Sequence, residues 1–393
     1  MVHVTSRTCE NKMKRFLILI VLVLAGCGEQ SPEEIIKQVN SSGTISDEQA
    51  ESLSQLDDVN LDGLSSITDE QAESLSRVEY LYLNGLTSIA DQQAESLSKV
   101  EYYVELNGLT SITDEQAESL SRVEYLYLNG LTSITDEQAR SLSKVEDLGL
   151  NGLTSITDEQ AGSLSKVETL HLNALATITD EQAESLSKVE YYVELNGLTS
   201  ITDEQAEILS KGHWLSLDGL TSITDEQAES LSKVENLELN GLTSLTEERA
   251  EILSWVRQLE LNGLTSITDE QAESLSNTNS LALNSLSSIT DEQAESLSKV
   301  GGLELNGLTS ITDKQMESLS NTSSLVLNSL SSITDEQAES LSKVEYYVEL
   351  NGLTSITDEQ AASLSKVNVV VSEACQKLVD KHNAANIDTN IGL

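Results

Sequence analysis

The side chains able to do acid–base or nucleophilic chemistry are few and scattered. The chain holds four histidines (His3, His171, His213, His382) and three cysteines (Cys9, Cys27, Cys375). Catalysis needs a base within hydrogen-bond reach of a nucleophile, and a zinc site needs several ligands converging on one point. His171 has no cysteine or second histidine near it in sequence and reads as a surface residue. Serine and aspartate are abundant because a repeated segment contains them, and no glycine-rich phosphate loop or nucleophile elbow is present. No catalytic residue, metal site or cofactor is therefore assigned, and the chain is not expected to be an enzyme.

Recognition is the chemistry that remains, and its candidates are aromatic. All ten tyrosines lie in or just before short alternating segments. Tyr80, Tyr82, Tyr102, Tyr103, Tyr125 and Tyr127 fall in three consecutive repeats; Tyr191, Tyr192 and Trp214 form a second group; Tyr346 and Tyr347 form a third. Aromatic anchors flanked by polar residues suit a protein or glycan contact surface. The bland alternative is that the rings shield strand backbone. Later repeats do without them, carrying Ser280, Ala282, Ser324 and Val326, which favours binding.

The elements that must position these rings recur along almost the whole chain. An acidic marker falls at Asp47, Asp69, Asp91, Asp114 and onward to Asp358, in steps of 22 residues with three steps of 23. Each repeat has an alternating half, in which Leu81 and Leu83 point one way and Tyr82 and Asn84 the other, which is a short strand. The other half, Ile67-Thr68-Asp69-Glu70-Gln71-Ala72-Glu73-Ser74-Leu75-Ser76, reads as a two-turn helix. Thr68 is its N-cap, Gln71 closes a capping box, and Arg77 is placed to answer the negative helix terminus. A helix this short cannot stand alone. Stacking Leu81, Leu83, Leu86, Ile89, Ala94 and Leu97 on the same set in the next repeat gives both halves a core. The frequent Asn-Gly pairs suggest hairpins, but each is followed by helix caps rather than a returning strand. Disorder, suggested by the charge, conflicts with the regular leucine spacing.

Val78-Glu79-Tyr80-Leu81-Tyr82-Leu83, followed by Leu86, Ile89 and a helix, resembles a leucine-rich repeat. The Ile-Thr-Asp before each helix is most similar to the cysteine-containing subclass. The resemblance implies an α/β leucine-rich-repeat solenoid with a parallel inner sheet and short outer helices, about 14 repeats of 22–23 residues over residues 44–371. Where the family places Asn or Cys, this chain has Leu86, Leu109 and Leu131. The family's buried Asn or Cys ladder is therefore expected to be absent, with the Asn84 column on the outward side of the strand. The tyrosines of the first two groups, Tyr80, Tyr82, Tyr102, Tyr103, Tyr125, Tyr127, Tyr191 and Tyr192, with Trp214, are then expected on the concave face.

The ends differ from the repeats. Lys14-Arg15 precede an apolar run from Phe16 to Leu24, too short to span a membrane and shaped like a signal peptide. Met13 is the expected start, with 1–26 as the signal peptide. Leu24-Ala25-Gly26-Cys27 resembles a bacterial lipobox, which implies that Cys27 carries a lipid and opens the mature chain. Gly28 after it points, by the same analogy, to the outer membrane of a two-membrane cell. Residues 27–43 then serve as a short connector and capping helix, with Ser31 as N-cap and Ile35, Ile36 and Val39 as the apolar stripe. Val367 to Val371 reads as a last strand, and residues 372–393 as a cap helix to about Lys381 with a frayed tail. Cys375 is expected to be buried in that helix.

Charge narrows the partners. The formal charge is −44. Removing residues 1–26 leaves 18 basic and 65 acidic residues, a balance of −47. Nucleic acid is an unsuitable partner, since phosphate binding needs positive charge. The acids near Asp69, Glu70 and Glu73 read as a solvated outer face, or as weak divalent-cation sites of stacked carboxylates. The functional expectation is a lipid-anchored envelope protein that binds a protein or glycan without catalysis. The alternatives are an acidic spacer or coat with no single ligand, and an accessory regulator of another envelope protein.

Overall fold

The structure, a computed structural model, describes residues 30–391, with side chains described to residue 383. Cys27, the signal segment and Met13 lie outside the described residues. The chain divides into two compact units, Met1–Gly152 and Leu153–Leu393. Each is a leucine-rich-repeat solenoid of short parallel strands and seven-residue helices.

The first unit opens with α1 (Pro32–Ser42), capped reciprocally by Ser31 and Glu34, with Ile35 and Val39 buried. There follow α2 (Asp47–Leu53), β1 (Asp58–Asn60), α3 (Asp69–Leu75), β2 (Tyr80–Tyr82), α4 (Asp91–Leu97), β3 (Tyr103–Glu105), α5 (Asp114–Leu120), β4 (Tyr125–Tyr127), α6 (Asp136–Leu142) and β5 (Asp147–Gly149). Each seven-residue helix begins at the acidic marker that the sequence repeats. The strands pair in sequence order, with Tyr80 opposite Tyr103 and Tyr103 opposite Tyr125.

The second unit continues with α7 (Asp158–Leu164), β6 (Thr169–His171), α8 (Asp180–Leu186), β7 (Tyr192–Glu194), α9 (Asp203–Leu209), β8 (Trp214–Ser216), α10 (Asp225–Leu231) and β9 (Asn236–Glu238). The same alternation runs through α11 (Glu247–Leu253), β10 (Gln258–Glu260), α12 (Asp269–Leu275), β11 (Ser280–Ala282), α13 (Asp291–Leu297), β12 (Gly302–Glu304), α14 (Asp313–Leu319) and β13 (Ser324–Val326). It closes with α15 (Asp335–Leu341), β14 (Tyr347–Leu350), α16 (Asp358–Leu364), β15 (Val369–Val371) and α17 (Glu373–Ile391). The final helix runs past Lys381, where the sequence reading ended it and expected fraying. Cys375 is buried in it, its Sγ 3.6 Å from the Leu353 carbonyl oxygen.

The core lies between sheet and helices. Leu81, Leu83, Leu86, Ala94 and Leu97 are fully buried, and their counterparts repeat this. Ile89, expected among them, is only half-buried. It sits beside the helix N-terminus, where the stack opens to solvent. Arg77 also departs from expectation. It reaches the preceding repeat and pairs with Glu51 at 2.8 Å instead of answering its own helix end.

Polar contacts between repeats follow three ladders, two of which the sequence reading missed and one of which it denied. In the first, Asn84 Oδ1 accepts the backbone N–H of Asn107, Asn107 that of Asn129, and Asn129 that of Asn151, at 2.8–2.9 Å. In the second unit the same ladder runs from Asn173 through Asn196, Asp218, Asn240 and Asn262 to Asn351. An asparagine ladder is therefore present, two residues upstream of the usual place and half-buried. The expectation of its absence is corrected. The reason is local: the amide just past each strand has left the strand pairing and needs an acceptor, and this side chain is the one that reaches it.

The second ladder uses the capping glutamine twice. Gln182 Oε1 accepts the Thr179 N–H at 3.0 Å, and its Nε2 donates to the Ile156 carbonyl of the preceding repeat at 2.8 Å. The third uses the capping threonine twice. Thr113 Oγ1 accepts from the Gln116 N–H and donates to Asp91 Oδ1 of the preceding repeat at 3.1 Å. Two variations test the rule. Ala90 has no hydroxyl, so its helix keeps only the Gln93 half of the box. At position 249 arginine replaces glutamine and reaches Asp225 Oδ1 at 2.6 Å instead.

The Asn-Gly glycines are not turn residues of a hairpin. Among the described residues only Gly43 has positive φ, at 74°. Gly108 serves close stacking: a Cβ there would lie 2.3 Å from the Asn84 carbonyl oxygen.

Candidate binding face

In β2, β3 and β4 the central residue is buried and the outer two turn toward the open face of the sheet; β15 reverses this, with Val370 exposed between buried Val369 and Val371. The 22-residue step, with its parallel register, converts sequence columns into spatial rows. In the first unit this gathers the predicted tyrosines. Tyr103 lies at the centre, its ring centroid 5.0 Å from Tyr82, 5.2 Å from Tyr127 and 6.4 Å from Tyr80. Tyr102 is 6.0 Å from Tyr80. The 23-residue step adds its extra residue just before β3, and this is what lets Tyr102 join the patch while Tyr103 keeps register with Tyr80. Tyr125 follows Tyr103 in the same row.

Neighbours shape the patch. Gly149 stands where a side chain would meet the Tyr127 ring, a Cβ there falling 2.4 Å from Cδ1. The space it leaves lets the Tyr127 hydroxyl reach both Asp147 carboxylate oxygens at 3.0 Å. The Tyr103 hydroxyl donates to Glu105 Oε2 at 3.2 Å. Partial burial and nearby carboxylates raise the phenol pKa of Tyr82, Tyr102, Tyr103 and Tyr125. Burial, then Glu105, raises Tyr103; the Glu101 charge raises Tyr102; burial, then Glu124, pushes Tyr125 up to about 12.

The second unit carries a smaller aromatic group. Tyr192 and Trp214 rings lie edge to face at 5.0 Å, and His171 joins them 5.7 Å from Tyr192. One carboxylate, Glu238, accepts from the Tyr192 hydroxyl at 3.2 Å and the Trp214 indole N–H at 2.8 Å. His171 Nδ1 lies 2.5 Å from Glu194 Oε2, and this bond lowers the Glu194 pKa. The sequence reading left His171 as an isolated surface residue. It is half-buried and part of this group. Adding 22 or 23 to His171 in the outward column finds Glu194, the signal that was overlooked. Tyr191, predicted with this group, is 60% exposed just before β7. In the third group Tyr347 donates to Glu349, while Tyr346 is 63% exposed.

Farther along, the outward row becomes acidic. Glu260 is half-buried beside Glu238 and Glu304, and burial followed by the Glu238 charge raises its pKa. Asn262 donates to it at 3.1 Å. Among the described residues no group of three or more His, Cys, Asp or Glu is disposed to hold a metal ion. No helix among them is long and apolar enough to cross a membrane.

No family model matches the chain, and no curated protein matches it. Solved structures do. An internalin (InlF) from Listeria monocytogenes is 20% identical over 86% of this chain and 93% of its own, with a TM-score of 0.39. The Toll–Spätzle complex of Drosophila aligns with 15% identity over 84% of this chain and 49% of that one, with a TM-score of 0.49. The functional domain of InlJ from Listeria monocytogenes, described as including a cysteine ladder, is 14% identical over 77% and 69%, with a TM-score of 0.35. The leucine-rich-repeat fold class rests on the chain's own parallel strands, each followed by a short helix at the 22- to 23-residue period.

Proposed function

We propose that the chain is a non-catalytic binding protein of the bacterial cell envelope, held by a lipid on Cys27, whose open sheet face contacts a protein. The observation that carries this reading is the tyrosine patch of the first unit. Five tyrosine rings meet on a face that the helices leave uncovered, and each is tied to its neighbours by register. Rigid aromatic area with few rotors is well suited to contact, because little entropy is lost on binding. A short connector over residues 27–43 would keep the solenoid close to the membrane, which is the outer membrane if the cell has two.

A spacer or coat role has one observation in its favour: acids open the outer helices repeat after repeat, as Asp158 and Glu159 or Asp180 and Glu181 do. Regulation of another envelope protein would use the same face. The test immobilises the full chain and a variant with Tyr80, Tyr82, Tyr125 and Tyr127 changed to Ser, after circular dichroism shows both folded. A partner captured from envelope extracts by the first and lost by the second supports the reading. Equal capture by both would move the function to the coat. Metabolic labelling with a fatty-acid probe, lost in Cys27→Ser, tests the anchor.

A further inference from the structure

The tyrosine patch of the first unit carries one sign of charge around it. The segments that form this part of the face, residues 57–62, 79–84, 101–107, 124–129 and 146–151, contain nine acidic residues and no lysine, arginine or histidine. The basic residues of these repeats, Arg77, Lys99, Arg122, Arg140 and Lys144, lie in or just after the helices, with Arg77 engaged with Glu51 and Arg140 with Glu137. Two carboxylates touch the rings directly: Glu105 accepts from Tyr103, and Asp147 accepts from Tyr127. Such hydrogen bonds hold the rings in place and draw the hydroxyl dipoles toward the acids, while Tyr82, Tyr103 and Tyr127 each keep part of their surface exposed. A neutral aromatic face is electron-rich, and it attracts a cation placed over it. Carboxylates at its rim add charge pairing, and the planar guanidinium can use both at once.

Resting on the binding role proposed above, we infer that the occupant of this face is a basic protein segment, rich in arginine, laid across Tyr82, Tyr103 and Tyr127 with its cations between the rings and the Glu105 and Asp147 carboxylates. Charge complementarity selects this occupant over the others that aromatic surfaces serve. A neutral glycan would stack on the rings but leave the negative charge of the rim unbalanced. An anionic surface would be repelled.

The whole chain is −44, so any polycation will adhere to it weakly, and the test must separate the face from the bulk charge. The probe is a fluorescent octa-arginine peptide at 0.15 M salt, compared with octa-lysine and with a neutral Gly-Ser octapeptide, by anisotropy on the full chain. Three variants are used: Tyr82→Ser with Tyr103→Ser and Tyr127→Ser; Glu105→Gln with Asp147→Asn; and, on the helical side, Glu73→Gln with Glu95→Gln and Glu118→Gln. The tyrosine variant keeps every charge and is expected to weaken octa-arginine binding by about tenfold or more, from three lost cation–π contacts. The Glu105/Asp147 variant keeps every ring, guards against misfolding of the first, and is expected to weaken binding several-fold. The helical-side variant is expected to change it by less than about twofold, since solvated charges are screened. Octa-arginine is expected to bind more tightly than octa-lysine. Equal loss in the helical-side and tyrosine variants, or none in the tyrosine variant, would overturn the inference by reducing it to bulk charge. If the neutral peptide is held by the same tyrosines as tightly as octa-arginine, the basic partner is wrong while the binding face stands.

Discussion

Restoring a hydroxyl at position 90 should stabilise the fourth helix, and the structure sets the size of the gain. Ala90 has φ −84° and ψ 162°, close to Thr68 at −87° and 170° and Thr113 at −82° and 167°. Ala90→Thr therefore needs no backbone adjustment, and its side chain is exposed, so nothing is displaced. The hydroxyl would accept from the Gln93 N–H, as Thr113 does from Gln116, and donate to Asp69 as Thr113 donates to Asp91. Replacing alanine by threonine at an N-cap is worth about 1 kcal/mol. The added exposed bond to a carboxylate contributes a few tenths more, about what a screened pair supplies. A solenoid spreads such a gain over neighbouring repeats only weakly, so the readout should be local. Hydrogen exchange over residues 91–97 is expected to slow by about fivefold, the factor corresponding to about 1 kcal/mol. The reciprocal Thr113→Ala should speed exchange over 114–120 by a similar factor. If neither substitution alters exchange in its own helix, the caps do not hold these helices as argued, and packing alone must.

Gln182→Glu should keep the cap on Thr179 but lose the donation to Ile156, destabilising the second unit by about 1–3 kcal/mol in urea denaturation, as expected for an unsatisfied buried carbonyl. Gln182→Ala, which loses both bonds, should cost at least as much. Glu260→Gln should raise thermal stability at pH 7: the folded-state pKa lies above the ordinary 4.5, so the charged form opposes folding at neutral pH. That gain should vanish as pH falls below about 4.5, where the residue is protonated folded and unfolded alike; a gain that persisted there would point to packing instead. Gly149→Val should push the Tyr127 ring off its place, seen as a changed near-ultraviolet circular dichroism signal with far-ultraviolet signal retained. Cys375 should resist thiol reagents until the chain unfolds; rapid labelling of the native protein would mean that the terminal helix opens.

The repeat was legible because one period carries every signal at once. The acidic marker, the threonine cap, the glutamine three residues on and the leucine alternation agree in most copies, with Ser46, Ala90 and Arg249 as the exceptions, so helix starts could be placed to the residue. The tyrosine patch was legible for the same reason: in a parallel stack, residues 22 or 23 apart in a strand column become neighbours. What escaped was bonding between repeats. Gln182 was read as a cap within its own helix because a capping box is a local pattern, and nothing local says that the amide end reaches back 26 residues to Ile156. The asparagine ladder was denied because the family's position held leucine. The physical demand, an acceptor for the amide past each strand, can be met from Asn84 as well. His171 and Glu194 were missed because each looks unremarkable alone, and only the register pairs them.

The three ladders share a property that bears on how such a chain can change length. Most rungs repeat the same bond one period apart, asparagine to the next asparagine's amide, glutamine to the preceding carbonyl and threonine to the preceding aspartate, with Asp218, Arg249 and Ala90 as variants. Within a unit, removal of any in-phase block of 22 residues brings together groups of the same kind as those it separates, and insertion of such a block does likewise. The cut need not respect a helix or strand boundary, since a phase shared by all three ladders makes any position equivalent to its counterpart. Copy number is thus nearly free of structural penalty. The outward strand residues, whose identity no rung fixes, differ from copy to copy, as Tyr127, Gly149, His171 and Glu194 do, and are the part of the repeat on which selection for a partner can act.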